Sequence, residues 1–119
     1  MKLAIVGSRE FTDYDLLCRE VAKIQETQTI DLIVSGGAKG ADTLAKKFAA
    51  KNRIPLMEFL PDYSRYGRGA PLQRNTLIVQ NADWVLAFVT PTSKGTWDTI
   101  RKAERANKRT IIIRVTANG

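Results

Sequence analysis

Three short stretches concentrate the residues that could bind or react: Gly7-Ser8-Arg9-Glu10, Ser35-Gly36-Gly37-Ala38-Lys39-Gly40-Ala41-Asp42 and Thr90-Pro91-Thr92-Ser93-Lys94-Gly95-Thr96. Glycine, a hydroxyl side chain and a cation recur in each. A residue without Cβ tolerates positive φ and lets backbone N–H groups come close to an anion. Where a helix follows, its unpaired amides and the positive end of its dipole complete a phosphate site. The bland alternative is that the glycines only make tight turns, and for any single turn the two readings weigh the same. Three enriched turns together favour binding. Arg74-Asn75 adds a planar guanidinium, which can donate two parallel hydrogen bonds to a phosphate.

Other chemistries lose support. The chain has no histidine, which excludes Ser-His-Asp and Cys-His catalysis and the usual zinc sites within it. No metal and no cofactor are expected. SGGAKGAD lacks the GxxxxGK[ST] spacing of a P-loop, and no GxGxxG follows the first apolar run. Ordinary NTP hydrolysis and dinucleotide redox chemistry are therefore disfavoured. A net charge of +7 favours anionic partners.

The elements that must position these turns alternate. Strands are expected at Lys2 to Val6, Leu32 to Val34, Leu56 to Leu60, Trp84 to Val89 and Thr110 to Val115. Helices are expected at Asp13 to Gln25, Gly40 to Asn52, Leu72 to Asn81 and Gly95 to Asn107, from apolar residues recurring at helical spacing. Thr12 or Asp13 is placed to cap the first helix, and Ile54-Pro55 ends the second. Pro61 to Pro71 reads as a loop, long enough to be functional. Near-continuous apolar strands alternating with helices imply a parallel sheet covered on both faces, a three-layer α/β/α doubly wound fold of about five strands. In such a sheet, ligands bind beyond the carboxyl ends of the strands, where all three turns fall.

The 119 residues suit one domain, residues 1–119, of ordinary soluble composition. A single cysteine, Cys18, cannot form an internal disulfide and suits a reducing compartment. The opening MKLAIVGSRE holds four consecutive apolar residues, too few for a signal-peptide core or a membrane span. A cytoplasmic location without membrane association is expected.

IVGSREFTDYD, IVSGGAKGAD, Arg74-Asn75 and ADWVLAF followed by Lys94-Gly95-Thr96 resemble the SLOG superfamily. That group includes the DNA-processing protein DprA, YpsA-like proteins and the LOG nucleotide phosphoribohydrolases. The resemblance runs from Ile5 to about Ala103. It implies a Rossmann-like fold with a pocket for a nucleotide or nucleotide-derived ligand, and homo-oligomers of the kind the superfamily often forms.

Three functions follow from the resemblance. In the first, a binding module, Gly7, Ser8 and Arg9 contact the ligand and Gly36, Gly37, Ala38 and Gly40 cradle phosphate, with Lys39 and Asp42 alongside. Arg74 and Asn75 supply polar contacts, and Lys94, Gly95 and Thr96 close the pocket. In the second, an N-glycosidic hydrolase, Pro91 to Thr99 stands where LOG enzymes carry PGGxGTxxE. Both inner glycines are replaced and Thr99 occupies the position of the catalytic glutamate, which counts against this reading. Asp98 and Glu10 are the acids left to substitute. In the third, single-stranded nucleic acid binds as in DprA, with Tyr63, Tyr66 and Trp97 as stacking platforms and Lys94, Arg101, Lys102, Arg105, Lys108 and Arg109 as a basic face. The bland reading of that face, a solvated helix surface, is favoured.

Single residues divide similarly. Asp42 is expected to stabilise its helix start through the dipole. Asp83 reads as a turn residue, Cys18 as packing, Trp84 and Phe88 as core, and Trp97 as a wall of the pocket.

Overall fold

The apolar run after Met1 forms the middle strand of a five-stranded sheet. The structure, a computed structural model, describes residues 1–116. Its strands are β1 (Lys2–Gly7), β2 (Leu32–Ser35), β3 (Leu56–Glu58), β4 (Trp84–Val89) and β5 (Arg109–Arg114). They lie in the order β3-β2-β1-β4-β5, all parallel. The register pairs Ala4 with Val34 on one side and with Val85 on the other. The expected domain also takes in residues 117–119, which lie outside the described residues.

Strand parity divides the core into two layers. Leu3, Ile5, Ile33, Leu86 and Phe88 point to one face, where they pack with Leu17, Val21, Ala45 and Phe48. Those partners belong to α1 (Tyr14–Gln25) and α2 (Ala41–Lys51). Ala4, Val6, Val34, Val85, Ala87 and Val89 point to the other face, against Ile78, Val79, Ile100 and Ala103. These come from α4 (Ala70–Gln80) and α5 (Lys94–Arg105). The result is the three-layer, doubly wound parallel sheet that the alternating pattern requires. Trp84 is half-buried against the first layer with Arg109 over its ring at 5.2 Å, while Phe88 is fully buried.

The segment 61–71 is not the loop expected from its prolines and glycines. Tyr63–Tyr66 forms a short helix, α3, followed by a 3-10 turn at Gly67–Gly69, and α4 begins at Ala70. Asp62 nucleates α3 by accepting from the Arg65 amide at 3.2 Å and the Ser64 hydroxyl at 2.8 Å. Pro71 fits the first turn of α4, where no amide donor is needed. The breakers therefore mark helix ends. β3 is also shorter than its apolar run and stops at Glu58. Among the described residues no helix is long and apolar enough to cross a membrane.

Candidate functional site

Chain order reverses at β1. The strands after it add on one side as far as β3, and the chain then crosses to β4 on the other side. The helices α1 and α2 take one face and α4 and α5 the opposite face, leaving a crevice beyond the carboxyl ends of β1 and β4. A cleft of about 390 Å³ occupies this position. Gly7, Ser8, Arg9 and Glu10 line it from the first turn, and Ala38 and Asp42 from the second. Lys94, Gly95 and Thr96 contribute from the third, and Arg74 and Asn75 from α4. Turns far apart in sequence thus meet at one opening.

Two glycines are required by close backbone packing. A Cβ on Gly7 would lie 2.5 Å from the Phe88 carbonyl oxygen and 2.8 Å from Ala41 Cβ, so only glycine lets β1, β4 and α2 approach this closely. Gly40 has φ +75°, and its missing Cβ leaves room for the Ser8 and Arg9 backbone. Beneath this turn Phe11 stacks on Phe88 with ring centroids 4.4 Å apart. Phe11 positions the Ser8–Glu10 turn, a role not read from the sequence. Its only signal there was a lone aromatic directly after the turn.

The second turn departs from the expected phosphate cradle. The Ala38 amide donates to Asp42 Oδ2 at 3.0 Å, and the Ala41 amide to the Ser8 carbonyl at 3.2 Å. The loop wraps the protein's own carboxylate, and Asp42 takes the place an anion would hold at the start of α2. Burial pushes the Asp42 carboxyl above its ordinary range, with the Ala38 amide and the Arg74 charge opposing the shift. Gly40 lines neither this cleft nor the one beside it. Gly36, Gly37 and Lys39 open instead on a second cleft of about 310 Å³, which shares Arg9, Ala38 and Arg74 with the first.

Fewer turn amides remain for a ligand than the glycine count suggests. The Ser8 amide is spent on the Phe88 carbonyl at 2.8 Å, and the Glu10 amide on Ser8 Oγ at 3.1 Å. The start of α5 is different. Ser93 precedes this helix without a side-chain capping bond, because its hydroxyl is engaged by the Thr90 amide at 2.9 Å and Thr90 Oγ1 at 2.8 Å. The first-turn amides of Gly95 and Thr96 therefore keep no intrahelical partner. They border the main cleft beside Lys94.

Arg74 and Asn75 are held rather than free. Arg74 donates from Nη1 to the Gly36 carbonyl at 2.6 Å and from Nε to Asn75 Oδ1 at 3.1 Å. Buried Asn75 donates in turn to the Gly95 carbonyl at 3.2 Å and to Asp98 Oδ2 at 3.1 Å. Burial lowers the Arg74 pKa and nearby Arg9 lowers it further, against Asp42 and Tyr63. Two guanidinium groups thus sit close together at one mouth.

Two expectations are corrected. Asp98 does not reach the cleft: it pairs with Lys102 at 2.9 Å and accepts from Asn75. Burial raises its pKa, but those two bonds prevail and leave the carboxyl below its ordinary value. It is a clasp on α5, whereas Glu10 does line the cleft. Trp97 is not a pocket wall either; it packs on the second core layer with Arg114 5.3 Å above its ring. Part of the basic run on and after α5 is in structural use, since Lys102 bonds the Leu72 carbonyl and Lys108, beyond the helix, those of Val79 and Ala82. Among the described residues no group of His, Cys, Asp or Glu is placed to hold a metal ion.

A crevice assembled from three strand-end turns at the reversal point of a parallel sheet defines a Rossmann-like α/β domain. The chain belongs to the YspA, cpYpsA-related SLOG family (YAcAr), which it matches over residues 1–66. SLOG domains in general bind nucleotide-related ligands. The match takes in the first two turns, whereas Arg74, Asn75 and Lys94 to Thr96 lie beyond it. No curated protein and no solved structure matches the chain significantly.

Proposed function

We propose that this chain is a binding module for a phosphate-bearing, nucleotide-derived ligand seated in the cleft between β1 and β4. The observation that carries this reading is the start of α5, which has no side-chain cap and brings the Gly95 and Thr96 amides, beside Lys94, to the cleft that Arg9 and Arg74 also line. A phosphate there meets unpaired amides, the positive helix end and guanidinium donors. Gly7 and Ser8 form the floor and Asp42 offers an acceptor toward a sugar, while Asn75 holds Arg74 and the start of α5 in place. Binding is favoured over glycosidic hydrolysis because Asp98 is tied to Lys102 and Thr99 stands at the glutamate position.

Thermal-shift titration with a nucleoside 5′-monophosphate, inorganic phosphate and a nucleoside tests this directly. A ligand that binds only the native state raises the unfolding temperature as its concentration passes Kd. The monophosphate should stabilise the protein, and Lys94→Gln should weaken the effect. Equal responses to the monophosphate and the uncharged nucleoside would refute a phosphate site.

A second reading, single-stranded nucleic acid, has one observation in its favour. Tyr63 and Tyr66 are exposed on α3, with Leu60 and Leu72 exposed nearby and Arg65 over the Tyr66 ring at 5.3 Å. Exposed aromatics beside cations suit base stacking. Oligonucleotide binding that weakens steeply with salt and is lost in Tyr63→Ala would favour it.

A further inference from the structure

We infer that the ligand carries two separated anionic groups, one in the β1–β4 cleft and one in the adjoining cleft beside Gly36 and Lys39. This rests on the function proposed above and narrows its ligand class. The two clefts share Arg9, Ala38 and Arg74, so they meet at a pair of guanidinium groups. Each also has a lysine of its own, Lys94 in one and Lys39 in the other, both exposed. A single phosphate at the start of α5 accounts for Lys94 and the two arginines and leaves Lys39 with no counterpart.

Arg74 is built to serve both sides. Its Nη1 and Nε are fixed by the Gly36 carbonyl and Asn75 Oδ1, which locks the guanidinium plane between the clefts. A guanidinium held this way loses little entropy when it grips an anion. Acids are unevenly placed around it: Glu10 and Asp42 line the first cleft, and no acid lines the second. Glu58, near Gly37, is engaged by Lys46 at 3.8 Å. The residues that line the second cleft, with Arg9, Lys39 and Arg74 among them, therefore carry net positive charge.

The geometry selects nucleotides with phosphates on different positions over those with one phosphate or a contiguous chain. Calorimetric titration with adenosine 5′-monophosphate, adenosine 5′-diphosphate and adenosine 3′,5′-bisphosphate provides the test. The bisphosphate should bind about tenfold or more tightly than the monophosphate. Lys39→Gln should bring the bisphosphate down to the affinity of the monophosphate, and Lys51→Gln, the same charge change at the far end of α2, should leave both affinities and their ratio as in the wild type. Equal affinity for mono- and bisphosphate, or a Lys39→Gln loss shared by both, overturns the second anion site and leaves the proposed function standing. A 5′-diphosphate as tight as the bisphosphate overturns the separation of the two groups. No binding by any of the three overturns this inference and the proposed function together.

Discussion

Arg74 donates from Nη1 to the carbonyl oxygen of Gly36 at 2.6 Å, joining α4 to the turn after β2 across 38 positions of sequence. The same guanidinium lies 2.6 Å from where a Cβ on Gly36 would sit, and Asp42 Oδ2 lies 3.1 Å from that point. Both a cation and a carboxylate thus crowd Gly36. One arginine therefore sets both the shape of the second turn and the charge of the cleft. Replacing it should damage binding more than folding. Hydrogen bonds to charged groups contribute about 1.5–3 kcal/mol each. Arg74→Gln should accordingly lower affinity for a nucleoside monophosphate by roughly tenfold to a hundredfold, measured by calorimetry. Arg74→Lys should fail to restore it, because an ammonium cannot span Gly36, Asn75 and a ligand together.

Asp42 gives the site a pH dependence whose sign follows from its raised pKa. The folded state holds this proton more tightly than the unfolded state. Stability from this group is fully present below the ordinary carboxylate value and is lost as pH rises through the folded pKa. Asp42→Asn removes that slope. In urea titrations from pH 4 to 7, the variant should gain on the wild type steadily as pH rises through the window above 3.8. A constant difference across this range would show that burial does not control the carboxyl. Asp98 acts in the opposite sense, since its depressed pKa places its stabilising contribution above its window and the loss below pH 3.8.

Phe11 links the core to the first turn. It is 1 % exposed and stacked on Phe88, which is fully buried. Phe11→Ala should cost about 3–5 kcal/mol in chemical denaturation, as for other large core truncations. Because the Phe11 amide also bonds the Ser8 carbonyl at 3.2 Å, the turn should loosen as well. Faster amide exchange at Ser8 to Glu10 than the global loss predicts would separate that local effect from general destabilisation.

The strands and the three turns were legible because their signals are local: continuous apolar runs, and glycines directly after them. The meeting of Gly7, Asp42, Arg74 and Gly95 at one crevice followed from strand order, which open parallel sheets restrict tightly. Part of what stayed hidden depends on partners distant in sequence. The i,i+4 pair of Asp98 with Lys102 is local, but nothing near it says that Asn75, 23 positions away, completes the clasp that holds Asp98 from the cleft. Nothing near Trp97 says that Arg114, on β5, will cover its ring. In the segment 61–71 proline and glycine fit both a loop and helix ends, and only the Asp62 capping bond decides between them. The glycine-rich turn offers the Ala38 amide to a phosphate, and only the folded backbone brings the competing acceptor, Asp42 Oδ2, to it.

Gly40 and Gly95 separate the two jobs a glycine can do here, and alanine at each should act in opposite directions. At Gly40 the backbone has φ +75°, and a Cβ would meet the Ser8 and Arg9 main chain. That backbone cannot retreat, because Ser8 is bonded to Phe88 and Ala41. Gly40→Ala should therefore destabilise the fold by roughly 2–4 kcal/mol. At Gly95 a Cβ meets nothing within 4 Å, and the residue lies in the first turn of α5. Alanine there should stabilise the helix by about 0.5–1 kcal/mol, because it has less chain entropy to lose. The same methyl would stand at the wall of the β1–β4 cleft, beside the amides proposed to hold phosphate. Gly95→Ala should thus raise the unfolding temperature of the free protein and reduce the further rise produced by a nucleoside monophosphate. A variant that gained stability and kept the full ligand-induced shift would move the phosphate away from the start of α5.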